Sequence, residues 1–539
     1  MKTLPQLLLL TVLCLCTFFV NLGSFEPDLM EARNFIAARE MVEDGHWLIP
    51  TMNGELRLEK PPLPTWMTAA SALLGGGINH PYTMRFPAAL MAMAMVFFMF
   101  GLVRQLSKDK LLPLIAAGVL ATSLLTIQLA RTNSWDIYAQ SFMLGAIWLL
   151  VAGLKRAGPA WKEFAGAGVL VGLSIMSKGP VAPYGLLLPF LVAYAFGFKS
   201  GELKSRWKEL LLLLFCALLV SVPWNAYIFL EAPEALGAVA SKETGSWANR
   251  HVRPFYFYLH FPIYSGLWTL FVGACFVAPY AKPRINQFGN YRFLLIWLFF
   301  ALVLLSVIPT KKERYLIPVI IPMALMVATF IRALLERIKT NELIRWDKVL
   351  LTVHFSIVAT AAGALPFALY FLGVQPGYVS LTTALFLGLT FLTLAMALVY
   401  LLLKKRWELS LVGSVVTLCL GLLVLPPFLE EVVYKNPEYK SISQVNELKA
   451  IDGMPWYTLN DLNMKVIWEA GGTITRCDSA GFSQLNFPVV FFSDKLPEIV
   501  IPASERKNLS IELLDDYDYF RKKNRYRMYV SILKRADQP

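Results

Sequence analysis

The stretch 311–332, KKERYLIPVIIPMALMVATFIR, sets Lys311, Lys312 and Arg314 directly against an apolar run of bilayer-crossing length. Working outward from it, similar runs recur on both sides. Candidate spans lie near 5–23, 84–103, 112–129, 136–154, 164–177, 181–198 and 209–230. Others follow near 263–280, 292–308, 315–332, 348–373, 379–403 and 409–428, about thirteen in all. Composition agrees, because 56% of the 539 residues are hydrophobic and 16% charged, against about 25% charged in soluble domains. Residues 1–428 therefore read as a mainly α, polytopic membrane domain. Residues 429–539 are polar, with PEIVIPA and RMYVSILKR as strands and SISQVNELKAID and SIELLDDYDYF as helical or mixed segments. They predict a small α/β domain.

With the N-terminus cytoplasmic, six connections fall on the cytoplasmic side: RQLSKDK, KRAGPAWK, FKSGELKSRWK, AKPRINQFGNYR, RALLERIKTNELIRWDK and LKKRWE. All are rich in Lys and Arg, as the orientation rule for membrane proteins requires. An odd number of spans then puts the C-terminal domain outside, which in a bacterium is the periplasm. These loops account for the net charge of +13, and no basic run interleaved with aromatics points to nucleic acid. Five of the six cysteines lie in apolar runs and Cys477 stands alone, so neither a disulfide framework nor a Cys-x-x-Cys metal site follows. The first apolar run reads as an uncleaved span, since no small-x-small cleavage site follows it.

The outer connections collect the unusual polar residues. They are the loops 24–83 and 231–262 and the turns ARTNSWD, SKGP and PTKKER. Asp28, Glu31, Glu59, Lys60, Arg131, Asp136, Lys178, His251, Arg253, Lys311, Lys312 and Arg314 all fall there. Three of these connections are basic on the disfavoured side, which invites a functional reason. PDLMEARNFIAAREMVED predicts an amphipathic interfacial helix with Met30, Phe35, Ala38 and Met41/Val42 as its greasy stripe. Pro61, Pro62 and Pro64 predict a stiff extended segment that holds Glu59 and Lys60 at the membrane surface. Carboxylates beside cations at a water–lipid boundary suit an anionic, lipid-borne substrate. Lys and Arg would bind its phosphate, and a carboxylate would orient or deprotonate an attacking hydroxyl. Plain alternatives stand beside each reading: a solvated Glu59–Lys60 pair, Asp28 and Asp136 as helix caps, snorkelling cations at 311–314, and His251 as an interfacial residue.

Taken in order, EKPPL, ARTNSWD, SKGP, the segment HVRPFYFYLH and KKERYLIP resemble the bacterial lipid A aminoarabinose transferases. Those belong to a broader group related to the protein O-mannosyltransferases. The likeness covers roughly residues 1–335 and rests on EKPP, SKGP and KxxRYLxP together. It implies a GT-C fold and a polyprenyl-phosphate-linked sugar donor. By the same resemblance Lys60, Lys311, Lys312, Arg314 and Tyr315 line the lipid-phosphate site, with Lys178 at its rim. Asp136 faces the cavity as an acidic, catalytic candidate. Glu59 and His251 lie where some relatives hold a divalent metal, which here would be structural, since no cofactor is required. The pattern departs in the first-loop helix, where Met30 stands at an Asp of the relatives and Glu31 at the adjoining Glu. Either Glu31 or Asp28 would then be the base.

The expected activity is inverting transfer of a sugar from undecaprenyl phosphate to a lipid A-like or glycan acceptor at the inner membrane. The rivals are a protein O-glycosyltransferase on the same scaffold and a transporter or flippase for a lipid-linked precursor. A transporter often shows paired half-repeats, and none is visible here.

Overall fold

The computed structural model describes residues 2–198, 205–249, 251–434, 439–518 and 527–536. The chain forms two compact units. The first comprises Met1–Leu22, Leu58–Pro64 and Arg85–Phe428, and the second Gly23–Arg57, Thr65–Met84 and Leu429–Pro539.

The first unit is a bundle of apolar helices. Among the described residues, eight helices are long and apolar enough to cross a membrane, and nine if one bent pair counts as a single span. The protein is thus a multi-pass membrane protein. Its central helix is Glu313–Lys339, whose most apolar window is 94% buried, whereas Trp207–Glu231 at the periphery is 22% buried. Every residue from Ile317 to Ile331 is inside, so this helix is hydrophobic on all faces. The other predicted spans also fall on helical segments, but the number thirteen is not reproduced. Thr3–Phe19, Pro183–Gly197 and Tyr291–Val307 are short, and the predicted span 112–129 is the bent pair, Leu112–Ala121 and Leu124–Arg131, meeting at 59°. The break lies at Thr122 and Ser123, whose hydroxyls donate back to the carbonyls of Gly118 and Val119, side-chain back-bonding of a kind that bends helices. The expected loop 231–262 contains the helix Pro233–Asn249 and most of a 3-10 segment, Phe255–Trp268.

The second unit holds a sheet of five strands: β3 (Trp456–Thr458), β4 (Thr475–Arg476), β5 (Val489–Ser493), β6 (Leu509–Asp518) and β7 (Arg527–Arg535). Their spatial order is β4-β3-β5-β7-β6, with β3 parallel to β4 and β5 and the remaining pairs antiparallel. β7 lies within the predicted strand RMYVSILKR. PEIVIPA instead forms a short helix, Pro497–Val500, and residues 510–518 of SIELLDDYDYF fall in the edge strand β6, its last two residues lying outside the described ones.

The first-loop helix Leu29–Glu43 belongs to this unit. Phe35, Ile36, Ala38 and Met41 share a core with Trp468, Val490, Phe492, Val530 and Ile532. It does not lie on an interface with one greasy stripe, because its residues 31–32 and 34–41 are all buried. The outer loop that the sequence assigned to the membrane domain therefore packs with the C-terminal segment. Its hairpin β1 (Thr51–Met52) to β2 (Glu55–Leu56) turns at Asn53-Gly54, both at positive φ, as a two-residue hairpin turn requires. The proline segment also ends sooner than predicted. A helix, Leu63–Leu74, starts with Pro64 at its second position, inside the first turn where a missing N–H costs nothing.

Candidate functional site

The turn ARTNSWD shows how the first unit builds its polar centre. Asn133 accepts from Tyr138 Oη at 2.8 Å. Ser134 caps the helix Trp135–Lys155 and donates its hydroxyl to Asp136 Oδ2 at 3.2 Å. Asp136 thereby enters the first helical turn, with 3% of its side chain exposed. Across from it, Ser177-Lys178-Gly179-Pro180 closes the helix Trp161–Lys178. Gly179 takes φ +73 and the proline prevents continuation. Lys178 ends up ion-paired with Asp136.

The third partner comes from the basic stretch that precedes the central helix. Arg314 Nε lies 3.4 Å from Asp136 Oδ2. The ring of Tyr315 sits under both cations, with Lys178 Nζ 4.2 Å and the Arg314 guanidinium 5.6 Å from its centre. Lys60 is close enough for its charge to act on Lys178, as does that of Arg314. Lys60, Lys178 and Arg314 thus bring three cations near the buried carboxylate of Asp136, where low hydration makes charge act strongly. Asp136 itself is consumed by Ser134 and two cations, so its geometry is that of a positioning group rather than of a base.

The segment 308–316 is held by the segment 251–258. Val252 and Thr310 form an antiparallel bridge, Arg253 N donates to Pro309 O, and Lys311 N donates to His251 O. Tyr258 grips the next peptide on both sides, donating to Lys312 O at 3.3 Å and accepting from Lys312 N at 3.2 Å. Lys311 departs from its predicted role. Its ammonium turns inward onto the carbonyls of Ile308 (2.7 Å), Arg253 (3.1 Å) and Pro309 (3.4 Å), and the residue is 4% exposed. Burial lowers its pKa. It clamps the loop, whereas Arg314 faces the carboxylate. Lys312 is half-buried, His251 is exposed at φ +51, and Glu59 is half-buried.

Arg131 also has a structural task. Its guanidinium donates to the carbonyls of Val20 (2.6 Å) and Asn21 (2.9 Å), and Arg85 donates to Leu22 O at 2.9 Å. The two satisfy carbonyls just beyond the first apolar helix, a task otherwise left to water.

In the second unit Asp28 and Glu31 start the helix Leu29–Glu43. Asp28 Oδ1 accepts from the N–H groups of Met30 (2.7 Å) and Glu31 (2.8 Å), and Glu31 Oε2 accepts from Asp28 N at 3.1 Å. This reciprocal box satisfies orphan donors. Asp28 is exposed and Glu31 is buried. Farther along, Arg39 donates to the carbonyls of Ile467, Trp468 and Gly472 at the end of the helix Met464–Ala470. Burial lowers its pKa, against the opposing charges of Glu43, Glu40 and Asp44.

For metals, the His, Cys, Asp and Glu side chains that converge among the described residues are Glu40, Asp44 and His46. Glu40 already accepts from Asn53 N at 2.6 Å. Glu59 and His251 form no such group of three.

Sequence reading missed Arg85 and Tyr258. The signal for Tyr258 was present in PFYFY, where a phenol stands among rings in an otherwise apolar run.

Residues 59–225 match the family described as dolichyl-phosphate-mannose-protein mannosyltransferase. An undecaprenyl phosphate-alpha-4-amino-4-deoxy-L-arabinose arabinosyl transferase from Pectobacterium atrosepticum is 27% identical over 362 residues, 63% of this chain and 61% of its own. Another, from Pseudomonas fluorescens, is 28% identical over 445 residues, 79% of this chain and 76% of its own. The chain thus spans about three fifths of the length of the first of these relatives. The crystal structure of ArnT from Cupriavidus metallidurans bound to undecaprenyl phosphate covers 100% of both chains, with a TM-score of 0.71 at 17% identity. The chain has the GT-C fold of these transferases. Glu59, Lys60, Asp136 and Lys178 fall within the matched family segment, and Arg314 and Tyr315 beyond it.

Proposed function

We propose that this GT-C chain is an inverting glycosyltransferase of the bacterial inner membrane. It takes a sugar from undecaprenyl phosphate and transfers it to a lipid A-like or other glycan acceptor on the periplasmic side, with the N-terminus cytoplasmic and the C-terminal domain periplasmic. The observation that carries this is the pair Lys178 and Arg314, both over the ring of Tyr315 and against the buried Asp136, with Lys60 near enough for its charge to act on Lys178. A lipid monophosphate needs such a site, and the Pectobacterium and Pseudomonas relatives are named as undecaprenyl phosphate sugar transferases.

In the reaction the acceptor oxygen bonds to the anomeric carbon while the bond from that carbon to the phosphate oxygen breaks. The acceptor proton passes to a carboxylate, proposed to be Asp28 or Glu31, and undecaprenyl phosphate leaves with the bonding electrons. Lys60, Lys178 and Arg314 stabilise the charge that grows on the phosphate, and Lys312 is a further donor-side cation. Preorganised charges aimed at developing charge are the largest single contribution in many enzymes. Glu59 and His251 would be the residues to hold a divalent ion beside the donor. Being two, they are too few to fix it alone.

Mass spectrometry of lipid A and of periplasmic proteins from a deletion strain and its complemented parent tests the proposal. A sugar lost from lipid A or another glycan and restored by the wild type supports it. Loss confined to Ser or Thr of proteins would make the chain a protein O-glycosyltransferase. Sugar transfer that persists in purified Lys60→Ala while lipid translocation stops would make it a transporter.

A further inference from the structure

The basic end of the helix Arg345–Leu369 lies apart from the cationic group around Asp136. A surface cavity of about 420 Å³ there is lined by Arg345, Lys348, Val349, Thr352 and Val353. These positions follow one face of the helix, two cations first and then smaller side chains, and Ile357 continues the stripe with 55% of its surface exposed. From Arg345 to Ile357 the face runs about 18 Å at 1.5 Å per residue, comparable with one leaflet of a hydrocarbon core about 30 Å thick. Trp346, 67% exposed beside the cations, belongs to the side-chain type that settles at headgroup depth.

The charge of this face is not neutralised from within. Asp347, the acid of the same helical turn, is fully buried. Its Oδ1 accepts from Arg284 Nη2 (2.8 Å), Arg284 Nε (3.2 Å) and Tyr280 Oη (2.6 Å). Its Oδ2 accepts from Ile344 N at 3.1 Å and lies 3.8 Å from Arg337. The acid is thus turned inward, and among the described residues no acidic side chain lines the cavity. The helix begins at Arg345, so its positive dipole end points the same way as the two cations.

We propose that this face is a binding site for an anionic glycerophospholipid. Its phosphate would lie between Arg345 and Lys348, and one acyl chain would run along Val349, Val353 and Ile357. Charge complementarity at the top and a continuous apolar track beneath commit the site to a lipid rather than to a free anion.

The test uses the purified full chain in neutral detergent. Retention of phosphatidylglycerol against phosphatidylcholine is read by native mass spectrometry, and thermal stability is read with each lipid added. The wild type should retain phosphatidylglycerol in at least several-fold preference and gain stability from it. Arg345→Gln/Lys348→Gln should abolish the preference, and Val353→Trp should weaken retention of the lipid with both cations intact. Lys108→Gln/Lys110→Gln removes equal charge from another basic loop and should leave the preference unchanged. Equal loss in both double variants would reduce the effect to general surface charge and overturn the site. So would a wild type without preference, or retention of inorganic phosphate alone.

Discussion

Arg314 and Lys311 stand three positions apart in the same short connection, and the fold gives them opposite tasks. Arg314 faces Asp136 over the ring of Tyr315, while Lys311 turns into three carbonyls. Arg314→Ala should lower kcat/KM for sugar transfer on the order of 10²-fold, by analogy with loss of one preorganised donor, as steady-state assays with a polyprenyl-phosphate sugar would show. Asp136→Ala should instead act first on stability. It leaves Lys178 and Arg314 without their shared carboxylate, and breaking a buried pair this way costs about 3–5 kcal/mol; thermal unfolding in detergent reads the loss. That cations gather on this side of the membrane was legible, because they break the charge rule of the connections around them. Their separate tasks were not. Two of the carbonyls that hold the Lys311 ammonium are local, those of Ile308 and Pro309, but the third, of Arg253, comes from 58 residues away, and local sequence holds no record of that encounter.

Among the elements, the helix Leu29–Glu43 and the strand β6 were legible to different degrees. Pro27-Asp28 marked the start of the helix correctly, since a cap acts on the adjoining N–H groups. What the helix packs against was hidden, because an apolar stripe does not name its partner. β6 misled for another reason. Its Glu, Leu and Asp suit a helix or loop, yet pairing with β7 overrides that preference, as tertiary context often does in strands. The capping box also separates two roles for Asp28. Asparagine caps a helix about as well as aspartate, whereas alanine costs about 1 kcal/mol. Asp28→Asn should therefore unfold like the wild type and lose transfer only if the carboxylate is the base, while Asp28→Ala should lose stability in either case. Comparing melting temperatures with initial rates for the pair decides it. Tyr258→Phe removes the grip on the Lys312 peptide and should lower kcat more than it raises the donor KM. Tyr258 is buried and its hydroxyl bonds the backbone of the loop on both sides of Lys312.

For the molecule as a whole, single cysteines reacted with a membrane-impermeant maleimide in intact spheroplasts check the orientation. Asp461→Cys, whose side chain is 83% exposed, should label from outside, and Lys108→Cys only after lysis. The division into two units was half legible: composition marked the change near Phe428, but not that residues 23–57 and 65–84 join the C-terminal segment. That arrangement has a consequence in time. Arg39 and Trp468, joined by a hydrogen bond, are 429 residues apart, and ribosomes add about 5–20 residues per second. The segment made among the first must wait roughly 20–90 s for the segment made almost last. During that interval Phe35, Ile36 and Met41 have no native partner from the C-terminal segment, which makes this nascent stretch a client for a chaperone or for the membrane surface itself.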